Sequence, residues 1–534
     1  MASFALGCQS VLGIHEVSRD GDGGAAAGEG GSGSGGGPGH GGDGGAGGGT
    51  GGEGGTAQEG FTISVEPAAP RVVRGGSAEL TVTVARSDGF AGDVELSLSD
   101  LPGGVTASPV VVPGDEATGV LTVTADALAP VGGAAPSLRA SAPGLQERAV
   151  PVALLVADPP GTLDQSFDGD GIASSGTAHE ARAVVVQADD KILVAGIDGE
   201  TWGLARFLPS GALDPEFGTE GLVVGLEGAV ESLALQPDGR ILAVGTRNDR
   251  LAIVRFNADG GVDQAFGASG VATIEPAFGS DTEGFDVAIQ SDGAIVAVGV
   301  AAAGNRGVVA RFTSTGDVDR AFGGGGVVAI EGSPFHGLAV GEGDRLVAGG
   351  TRSISGGPTF AVTRFDPDGV PDPDYGTGGT GTLDHAPYRD ADLALTPDGK
   401  TFLVGYALDG VNEWAFASFD AEGSADAAFG GTGLLRASAG EGHYVRGYGV
   451  ALQADGKILG AVAGGTASSG VTASVLRFLP DGTRDPGFGA SGAVVLDDHP
   501  ETNRLDAVAV QRDGRIVAAG KRSNLGLMVV RVWD

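Results

Sequence analysis

A single sequence pattern recurs seven times along the last two thirds of this 534-residue chain. Each copy reads roughly L-D-x-x-F-G-x-x-G, an apolar run, Q-x-D-G-K-I-L-V-A-G, a variable stretch, and an R-F pair followed by a turn. Repeats of about fifty residues that contain only strands and tight turns are typical of β-propellers. The pattern therefore predicts an all-β chain whose main part is a seven-bladed β-propeller.

Two features of the repeat mark its period. The aromatic residue of the F-G corner recurs at steps of 50, 49, 56, 53, 54 and 59 residues. A D-G turn between apolar runs also recurs, and it predicts a type I′ hairpin with positive φ at both central residues. The corners are at Phe167, Phe217, Phe266, Phe322, Tyr375, Phe429 and Phe488. The turns are at Asp238, Asp292, Asp398, Asp455 and Asp513, with degenerate copies at Asp189-Asp190 and Gly343-Asp344.

An Arg and an Asp stand eight residues apart around the turn that follows most R-F pairs. Because the turn lies midway, the two side chains are expected to face each other across two strands, as structural pairs. The pairs are Arg206 and Asp214, Arg255 and Asp263, Arg311 and Asp319, Arg364 and Asp372, and Arg477 and Asp485. Ser418 and Asp426 keep the offset but lack the charge pair.

Two members of this set have no partner within their own repeat, namely Arg531 and Asp164. The economical interpretation is that they pair with each other. The strand around residues 161–171 would then complete the last blade, which closes the ring and removes an exposed sheet edge. Deletion of residues 158–176 is therefore expected to unfold the propeller.

The repeat resembles the delta-60 repeat family of bacterial proteins and, more loosely, NHL-type propellers. The residues that carry the resemblance are the L-D-x-x-F-G corner, the Q-x-D-G turn and the R-F pair, over about residues 161–534. The resemblance implies a propeller fold and supplies no catalytic residue. The matching residues include Leu213, Asp214, Phe217, Gly218, Gln236, Asp238, Gly239, Arg255 and Phe256.

The propeller is expected to span residues 158–534. Residues 60–157 have a different pattern, in which Pro and Gly separate short runs of alternating apolar and polar residues. Roughly seven strands in about a hundred residues predict a β-sandwich. The segments 89–98 and 101–106 resemble bacterial Ig-like modules, which implies a spacer or adhesion unit. The runs are 61–65, 78–84, 94–98, 119–125, 138–142 and 150–156.

Residues 1–20 contain the only cysteine, Cys8, in the segment F-A-L-G-C, which resembles a bacterial lipobox and implies lipidation. Seven residues are too few for a complete signal peptide. Either the start codon lies upstream and a signal peptide has been truncated, or Cys8 is an incidental thiol. Residues 21–59 contain 22 Gly and should be a disordered linker, either a tether or low-complexity sequence without a role.

The formal net charge of −36 excludes two classes of partner. Nucleic acid and anionic lipid surfaces both require a basic patch. The charge fits an acidic, soluble, secreted protein, or an acidic surface that collects divalent cations.

The acidic residues and histidines are the candidates for catalytic and metal-binding roles. His179, His336, His385, His443 and His499 fall before innermost-strand runs, but no H-x-x-H spacing supports a metal site. Asp366, Asp368, Asp372 and Asp374 lack the spacing of an EF-type calcium loop, and turn chemistry explains them. No nucleophile elbow, P-loop or H-E-x-x-H is present, so no catalytic residue, metal or cofactor is expected.

The sequence therefore predicts a non-catalytic protein of the cell envelope, lipid-anchored or secreted, that binds a protein or glycan partner as a monomer. One alternative is a glycan hydrolase or lyase with an acidic funnel, for which a carboxylate pair at catalytic separation is required. A second is a purely structural repeat protein without a ligand.

Overall fold

The computed structural model of the protein describes residues 60–534 except 88, 178, 200, 275–280, 302–304, 355–356, 384–387, 408–412, 439–442, 467–469, 497–503 and 523–525. The described chain is nearly all β, with two single-turn 3-10 helices, Phe322–Gly324 (η1) and Glu342–Asp344 (η2), which confirms the predicted all-β class. It consists of two compact units, residues 60–156 (the N-terminal unit) and residues 157–534 (the ring). Neither short helix reaches the length that a bilayer span requires, and the described residues hold no other helix.

The N-terminal unit has eleven strands within its described residues. They form three sheets with the strand orders β1-β3-β7-β5, β10-β9-β4-β6 and β2-β11-β8. The strands are β1 Gly60–Glu66, β2 Arg71–Val73, β3 Ser77–Ser87, β4 Val94–Ser99, β5 Val105–Ala107, β6 Val110–Val112, β7 Thr118–Ala125, β8 Gly132–Ala134, β9 Ser137–Ser141, β10 Arg148–Pro151 and β11 Leu154–Ala157.

Alternation of side chains explains the core of this unit. Every second residue of β7 is buried, and Leu121 and Val123 are inaccessible to solvent. The run predicted over 150–156 is two strands, because β10 pairs with β9 whereas β11 pairs with β8 in a different sheet. The short strands β2, β5, β6 and β8 were not predicted, since three residues are too few for a visible alternation.

The ring contains seven four-stranded antiparallel sheets within its described residues. Ring sheets 1 to 6 each use four consecutive strands, whereas ring sheet 7 has the order β12-β39-β38-β37. Sheet 1 is β13 Glu180–Val186, β14 Ile192–Asp198, β15 Thr201–Phe207 and β16 Leu222–Glu227. Sheet 2 is β17 Ala229–Leu235, β18 Ile241–Arg247, β19 Arg250–Phe256 and β20 Val271–Thr273. Sheet 3 is β21 Thr282–Ile289, β22 Ile295–Ala301, β23 Arg306–Phe312 and β24 Val327–Glu331.

The remaining ring sheets follow the same plan. Sheet 4 is β25 Phe335–Val340, β26 Leu346–Ile354, β27 Gly357–Phe365 and β28 Thr380–Thr382. Sheet 5 is β29 Tyr388–Leu395, β30 Thr401–Ala407, β31 Glu413–Phe419 and β32 Leu434–Ser438. Sheet 6 is β33 His443–Leu452, β34 Ile458–Thr466, β35 Gly470–Phe478 and β36 Ala493–Leu496. Sheet 7 is β12 Ile172–Ser174 with β37 Arg504–Val510, β38 Ile516–Arg522 and β39 Gly526–Val532.

The first strand of each of ring sheets 1 to 6, together with β37 of ring sheet 7, surrounds the ring axis; these seven strands are here called the inner strands. Each contacts the inner strand of the next sheet, and β37 of sheet 7 contacts β13 of sheet 1. Apolar side chains fill the spaces between neighbouring sheets. Val194 of sheet 1 and Val529 of sheet 7, for example, belong to one buried cluster. The core of the ring therefore lies between sheets, which explains why the strand sequences are apolar on both faces.

Ring sheet 7 combines segments from opposite ends of the ring. Ile172 of β12 pairs with Val530 of β39, and Leu163 forms a β-bridge with Val532. The outer strand of this sheet therefore comes from the start of the ring and its other three strands come from the end.

The D-G turns differ from the predicted type I′ geometry. Gly239 has φ of 85°, but φ of Asp238 is not positive. The amide N–H of Gly239 donates to the carbonyl of Gln236, and the amide N–H of Arg240 donates to Asp238 Oδ1 at 3.1 Å. This is the pattern of a three-residue loop that ends on a left-handed Gly. In the degenerate copies Asp190 and Asp344 take the left-handed position, with φ of 62° and 60°.

The antiparallel order places two kinds of loop on opposite sides of the ring. The loops between the first and second and between the third and fourth strands, such as 236–240 and 257–270, lie on what we call the motif side. The opposite ends of the strands, where the second strand leads to the third and where one sheet leads to the next, lie on what we call the variable side. The segments that connect one sheet to the next range in length from one residue, Gly228, to eight residues, 274–281.

Candidate binding site at the mouth of the ring

The structure brings every predicted Arg and Asp pair together on the motif side. Each Arg Nε lies within hydrogen-bond distance of an Asp Oδ2. The distances are 2.8 Å for Arg206 and Asp214, 2.9 Å for Arg255 and Asp263, 2.7 Å for Arg311 and Asp319, 2.9 Å for Arg364 and Asp372, 2.9 Å for Arg477 and Asp485, and 2.7 Å for Arg531 and Asp164.

Each of these arginines also reaches the neighbouring sheet. The guanidinium carbon of Arg255 lies 4.3 Å from the ring centroid of Phe266 in the F-G corner. Its Nη1 donates at 2.6 Å to the carbonyl of Ser314, which belongs to the next sheet. One side chain thus joins its own Asp, its own corner aromatic and the next sheet, and we call this arrangement a joint. Such charge-assisted hydrogen bonds are stronger than neutral ones.

The joint repeats with the same register around the ring. The acceptor in the next sheet is always three residues beyond the Arg position of that sheet. The other contacts are Arg206 to Ala258 O at 2.5 Å, Arg311 to Pro367 O at 2.5 Å, Arg364 to Ala421 O at 2.7 Å, Arg477 to Asp534 Oδ1 at 2.5 Å, and Arg531 to Pro209 O at 2.6 Å. A main-chain bond accompanies each joint, as from Gly218 N–H to Asp259 O at 2.7 Å.

The joint between sheets 5 and 6 is incomplete. Ser418 replaces the Arg and its Oγ lies 3.3 Å from Asp426 Oδ2. Lys400 Nζ binds the same oxygen at 3.0 Å. In this described part of the chain, both side chains bind Asp426 and neither donates to the carbonyl of Pro480, three residues beyond Arg477, where the pattern places the acceptor.

Ser418→Arg is expected to raise the free energy of unfolding by about 2 kcal/mol, because a buried guanidinium would regain hydrogen bonds to Asp426 and to Pro480. Phe429 supplies the corner ring on which the new Arg would stack. Urea unfolding of both chains measures the difference. Ser424→Arg, which adds the same charge at an exposed position of the same loop, should change nothing, and an equal gain in both variants would contradict the joint.

The other predicted candidates are distributed over the chain. Cys8, His385 and His499 lie outside the described residues, and nothing is described of the side chain of His443. Contrary to expectation, His336 lies within inner strand β25 and not before it. In the acidic loop, Asp366 Oδ1 accepts main-chain N–H groups of Asp368 and Val370 at 3.0 and 2.8 Å, so turn geometry occupies this carboxylate. The described residues contain no cluster of three His, Cys, Asp or Glu that could hold a metal ion.

The inner strands carry a feature that was not predicted, a β-bulge within each strand. Its extra residue, here called the bulge residue, lies close to the variable side, where the inner strands begin; we call this end of the ring the mouth. Register shifts place the bulge residues at Arg182, Glu231, Phe285, His336, Tyr448 and Asp506, and the shift of sheet 5 lies between Arg389 and Asp392. All six side chains are buried. The bulge residues therefore place polar and aromatic side chains around the mouth, whereas the neighbouring residues of the inner strands are mostly apolar.

Sheets 1 and 7 contribute a charged cluster to the mouth. Glu180 accepts hydrogen bonds from Lys521 Nζ and, at 2.9 Å, from Arg504 Nη2. Arg504 Nε lies 2.8 Å from Asp506 Oδ2. Burial raises the pKa of Asp506 even though Arg504 and Arg182 both act to lower it. We call these five residues, three basic and two acidic, the mouth cluster.

Two fully buried carboxylates connect neighbouring inner strands below the bulges. Asp286 accepts from the Ser232 hydroxyl at 2.6 Å and from the Leu338 N–H at 2.7 Å, so it spans sheets 2, 3 and 4. Asp392 accepts from the Val450 N–H of sheet 6 at 2.8 Å. Burial raises the pKa of Asp286 to about 7. Burial, and then the proximity of Asp286, raise the pKa of Asp392 well above its ordinary value.

Some buried atoms of the mouth have no protein partner among the described residues. These are Nδ1 of His336 and Oδ1 of Asp506. The imidazole of His336 packs against Phe285 with 4.7 Å between centroids. Burial lowers the pKa of His336 to about 4, so the ring is neutral at pH 7. Buried polar atoms are usually hydrogen-bonded, so both atoms mark places where a ligand or water would bind.

Sequence reasoning overlooked the bulge residues because they lie inside runs predicted as regular strands. The available signal was variation among the repeats. Joint positions carry Arg, Asp and an aromatic residue in nearly every copy, whereas the bulge position carries a different residue in each of the six sheets where it is defined.

A family model matches this chain in six segments, and its description is a domain of unknown function (DUF5122) beta-propeller. The segments are 187–217, 236–266, 290–322, 344–375, 396–429 and 453–488, less than half of the chain. Each ends on an F-G corner, so the matched unit runs from the first hairpin of a ring sheet through its joint.

Two solved structures are similar to the chain at low identity. A protein from Lactobacillus plantarum is 10% identical, with 70% of this chain and 92% of that chain covered and a TM-score of 0.33. A protein of unknown function from Dyadobacter fermentans is 11% identical, with 68% and 99% covered and a TM-score of 0.33. No curated protein matches the chain. The six family matches and the repeated four-stranded sheets together support a β-propeller repeat protein.

Proposed function

We propose that this chain is a non-catalytic binding protein whose seven ring sheets are the blades of one propeller, and that its partner, a protein or a glycan, binds at the mouth. One observation carries the proposal. The joint residues repeat from sheet to sheet, whereas the buried bulge residues at the mouth differ in every sheet where they are defined. Residues that only support the fold would be expected to repeat with it.

The chemistry of the mouth also supports binding over catalysis. Asp286 and Asp392 are engaged by main-chain N–H groups of neighbouring strands, which gives both carboxylates a structural role. The segments that connect the strands on the same side differ in length, and proteins that bind ligands through loops on a rigid scaffold commonly vary such segments.

Selective blocking of the two sides tests the proposal. Glu227 and Glu216 are both exposed: Glu227 is the last residue of β16, on the variable side, and Glu216 lies in the loop before β16, on the motif side. In a Cys8→Ser background, each is replaced by Cys and labelled with a bulky maleimide-polyethylene glycol. Capture of a component from envelope extract should be lost with label at position 227 and kept with label at 216. Loss only at 216, or release of reducing sugar ends from envelope glycans, would contradict the proposal.

We further propose that the N-terminal unit is an Ig-like spacer, that residues 21–59 are a tether, and that Cys8 is lipidated, which would hold the propeller at the cell envelope. The lipobox-like segment F-A-L-G-C and the 22 Gly of the linker support this arrangement. Incorporation of labelled palmitate that disappears in Cys8→Ala is the expected result, and equal labelling of both chains would refute it.

A further inference from the structure

We infer that an open groove at the outer edge of ring sheet 2 binds the phosphate group of a phosphorylated sugar. The groove lies beside β20, the outermost strand of its sheet, whereas the mouth lies where the inner strands begin. The inference therefore goes beyond the proposed function and does not depend on it.

The groove has a volume of about 520 Å³, which falls in the range of about 300–1,000 Å³ that is usual for sites of small organic ligands. The hairpin between β18 and β19 supplies Arg247, Asn248 and Arg250 to its lining. Strand β20 and the loop before it supply Thr273 and Ser269. The described residues that line the groove include no Asp or Glu, so a ligand there meets hydrogen-bond donors and hydroxyl groups.

Two arginines face each other directly in this hairpin. Arg247 of β18 is the cross-strand partner of Arg250 in β19, so both side chains lie on the same face of the sheet. The residues between them, Asn248 and Asp249, have φ of 49° and 58°, which is typical of a tight type I′ turn. Like charges directly opposite each other destabilise a sheet, so this pair is unfavourable for the fold unless an anion binds to both.

Neither arginine has a protein partner that offsets this repulsion. Arg247 is half-buried and Arg250 is exposed, and no hydrogen bond or ion pair joins either guanidinium to another described residue. The exposed carboxylates of Asp249, Glu227 and Asp281 are near in the chain or the fold, but none of them lines the groove or binds these arginines. The inference therefore rests on unoccupied N–H donors and not on an excess of positive charge, since exposed charges that are not in contact interact weakly through water.

The arginine pair is particular to ring sheet 2. The corresponding last partners of the second and third strands are Asp198 and Thr201 in sheet 1 and Arg522 and Gly526 in sheet 7. In the described hairpins of sheets 3 to 6, at most one of the two residues is basic. The fold does not require two arginines at this position, which supports a role in binding.

The donor set favours a phosphate monoester. A carboxylate presents two oxygens to a single guanidinium fork, whereas a phosphate monoester presents three terminal oxygens and can accept from two guanidiniums at once. The hydroxyls of Ser269 and Thr273 and the amide of Asn248 offer hydrogen bonds to the rest of the ligand. The described lining contains no aromatic side chain on which a base could stack, so a sugar matches it better than a nucleotide does.

Glucose 6-phosphate and glucose form a matched pair of probes, because they differ only in the phosphate group. Titration of the full chain, followed by saturation-transfer NMR, should show glucose 6-phosphate binding with a Kd of about 1 mM and no glucose binding. Arg250→Gln should weaken this binding about tenfold without lowering the melting temperature, because it removes a repulsion and no ion pair. Arg320→Gln, which removes an exposed arginine on the motif side, should leave binding unchanged.

Three results would overturn the inference: no binding of glucose 6-phosphate by the unmodified chain, equal binding of glucose, or equal affinities of the unmodified and Arg250→Gln chains. Inorganic phosphate is the third probe, and an affinity equal to that of glucose 6-phosphate would contradict the sugar part of the ligand. Tighter binding of adenosine monophosphate would contradict it as well. If the label at position 227 blocks capture while glucose 6-phosphate does not bind, the proposed function stands and only this inference fails.

Discussion

Removing residues 158–176 is expected to unfold the ring, and attaching residues 160–176 directly behind Asp534 is expected to restore it. In this rearranged chain, residues 177–534 come first. No linker is required, because the closing segment continues the repeat in register.

The closing segment continues the spacing of the repeat. Arg206 and Asp214 are eight residues apart, with Gly211 between them at φ of 95°. When Pro160 follows Asp534, Asp164 stands eight residues beyond Arg531, and Gly161, at φ of 76°, takes the place of Gly211.

The closing segment contributes more than one strand. Asp164 is buried and accepts hydrogen bonds from Arg531 at 2.7 Å and Arg515 at 3.0 Å, and Pro160 O accepts the N–H of Gly489 in sheet 6. Removing one partner of a buried ion pair alone costs about 3–5 kcal/mol, and deletion also exposes the apolar edge of β39. Together these losses are comparable to the whole stability of a typical domain.

Thermal unfolding followed by circular dichroism tests both the closure and the register. Three chains are compared: residues 158–534, residues 177–534, and the rearranged chain. The first and third should show one cooperative transition at similar temperatures, and the second should show none. A cooperative melt of 177–534 at the temperature of the intact ring would refute closure by this segment. Failure of the rearranged chain alone would refute the register.

The stability of the protein is expected to decrease as the pH rises from about 4 to 7, by up to about 4 kcal/mol from Asp286 alone. Burial raises the pKa of this carboxyl from 3.8 to about 7, and a tenfold change in proton affinity is worth about 1.4 kcal/mol. In this window the folded chain holds more protons than the unfolded chain, so unfolding becomes easier with rising pH. The contribution is complete below pH 3.8 and lost near pH 7.

Paired carboxylates act in the opposite direction at lower pH. Burial acts to raise the pKa of Asp164, but its hydrogen bonds to Ser166 and its attraction to Arg531 outweigh burial and lower it. The pKa of Asp214 is lowered against burial in the same way by the N–H of Glu216 and by Lys191. Their stabilisation is lost as the pH falls below about 4, so maximal stability is expected at about pH 4–5.

Urea unfolding at several pH values between 4.5 and 8 measures this slope. Asp286→Asn has no proton to release, so its stability should vary less across the window, while Asp392 retains part of the effect. Its stability at pH 4.5 should be lower than that of the unmodified chain, because the amide nitrogen would face the N–H of Leu338. Asp292→Asn, an exposed change in a D-G turn of the same sheet, is the control, and identical slopes in all three chains would refute the assignment.

The all-β class and the strand positions could be predicted because the repeat exposes them seven times. The fixed spacing of Arg255 and Asp263 was enough to anticipate their contact, since two residues equidistant from a turn must meet. The contact from Arg255 to Ser314 could not be anticipated, because it depends on how neighbouring sheets pack. The same limit applies to Asp286, whose partners Ser232 and Leu338 are 54 and 52 residues away.

The bulge residues of the mouth could not be predicted for a different reason. A bulge inserts one residue without changing the apolar character of a strand, so Arg182 and Asp506 read as interruptions of a regular run. The type of the D-G turn was also mistaken, because Asp238 stabilises the loop through its side chain and leaves positive φ to Gly239 alone. Both errors concern backbone geometry that one-dimensional spacing does not encode.

The constant register of the joints means that one repeat can take the place of another next to the same neighbours. Six of the seven joints use an Arg donor from one sheet and an acceptor three residues beyond the equivalent position of the next sheet, so a duplicated unit of this kind would meet neighbours that already fit it. We therefore expect a duplicated repeat to need no new residues at its joints. Each added repeat would also bring one more bulge residue, so under the proposed function it would change the chemistry of the mouth in the same step.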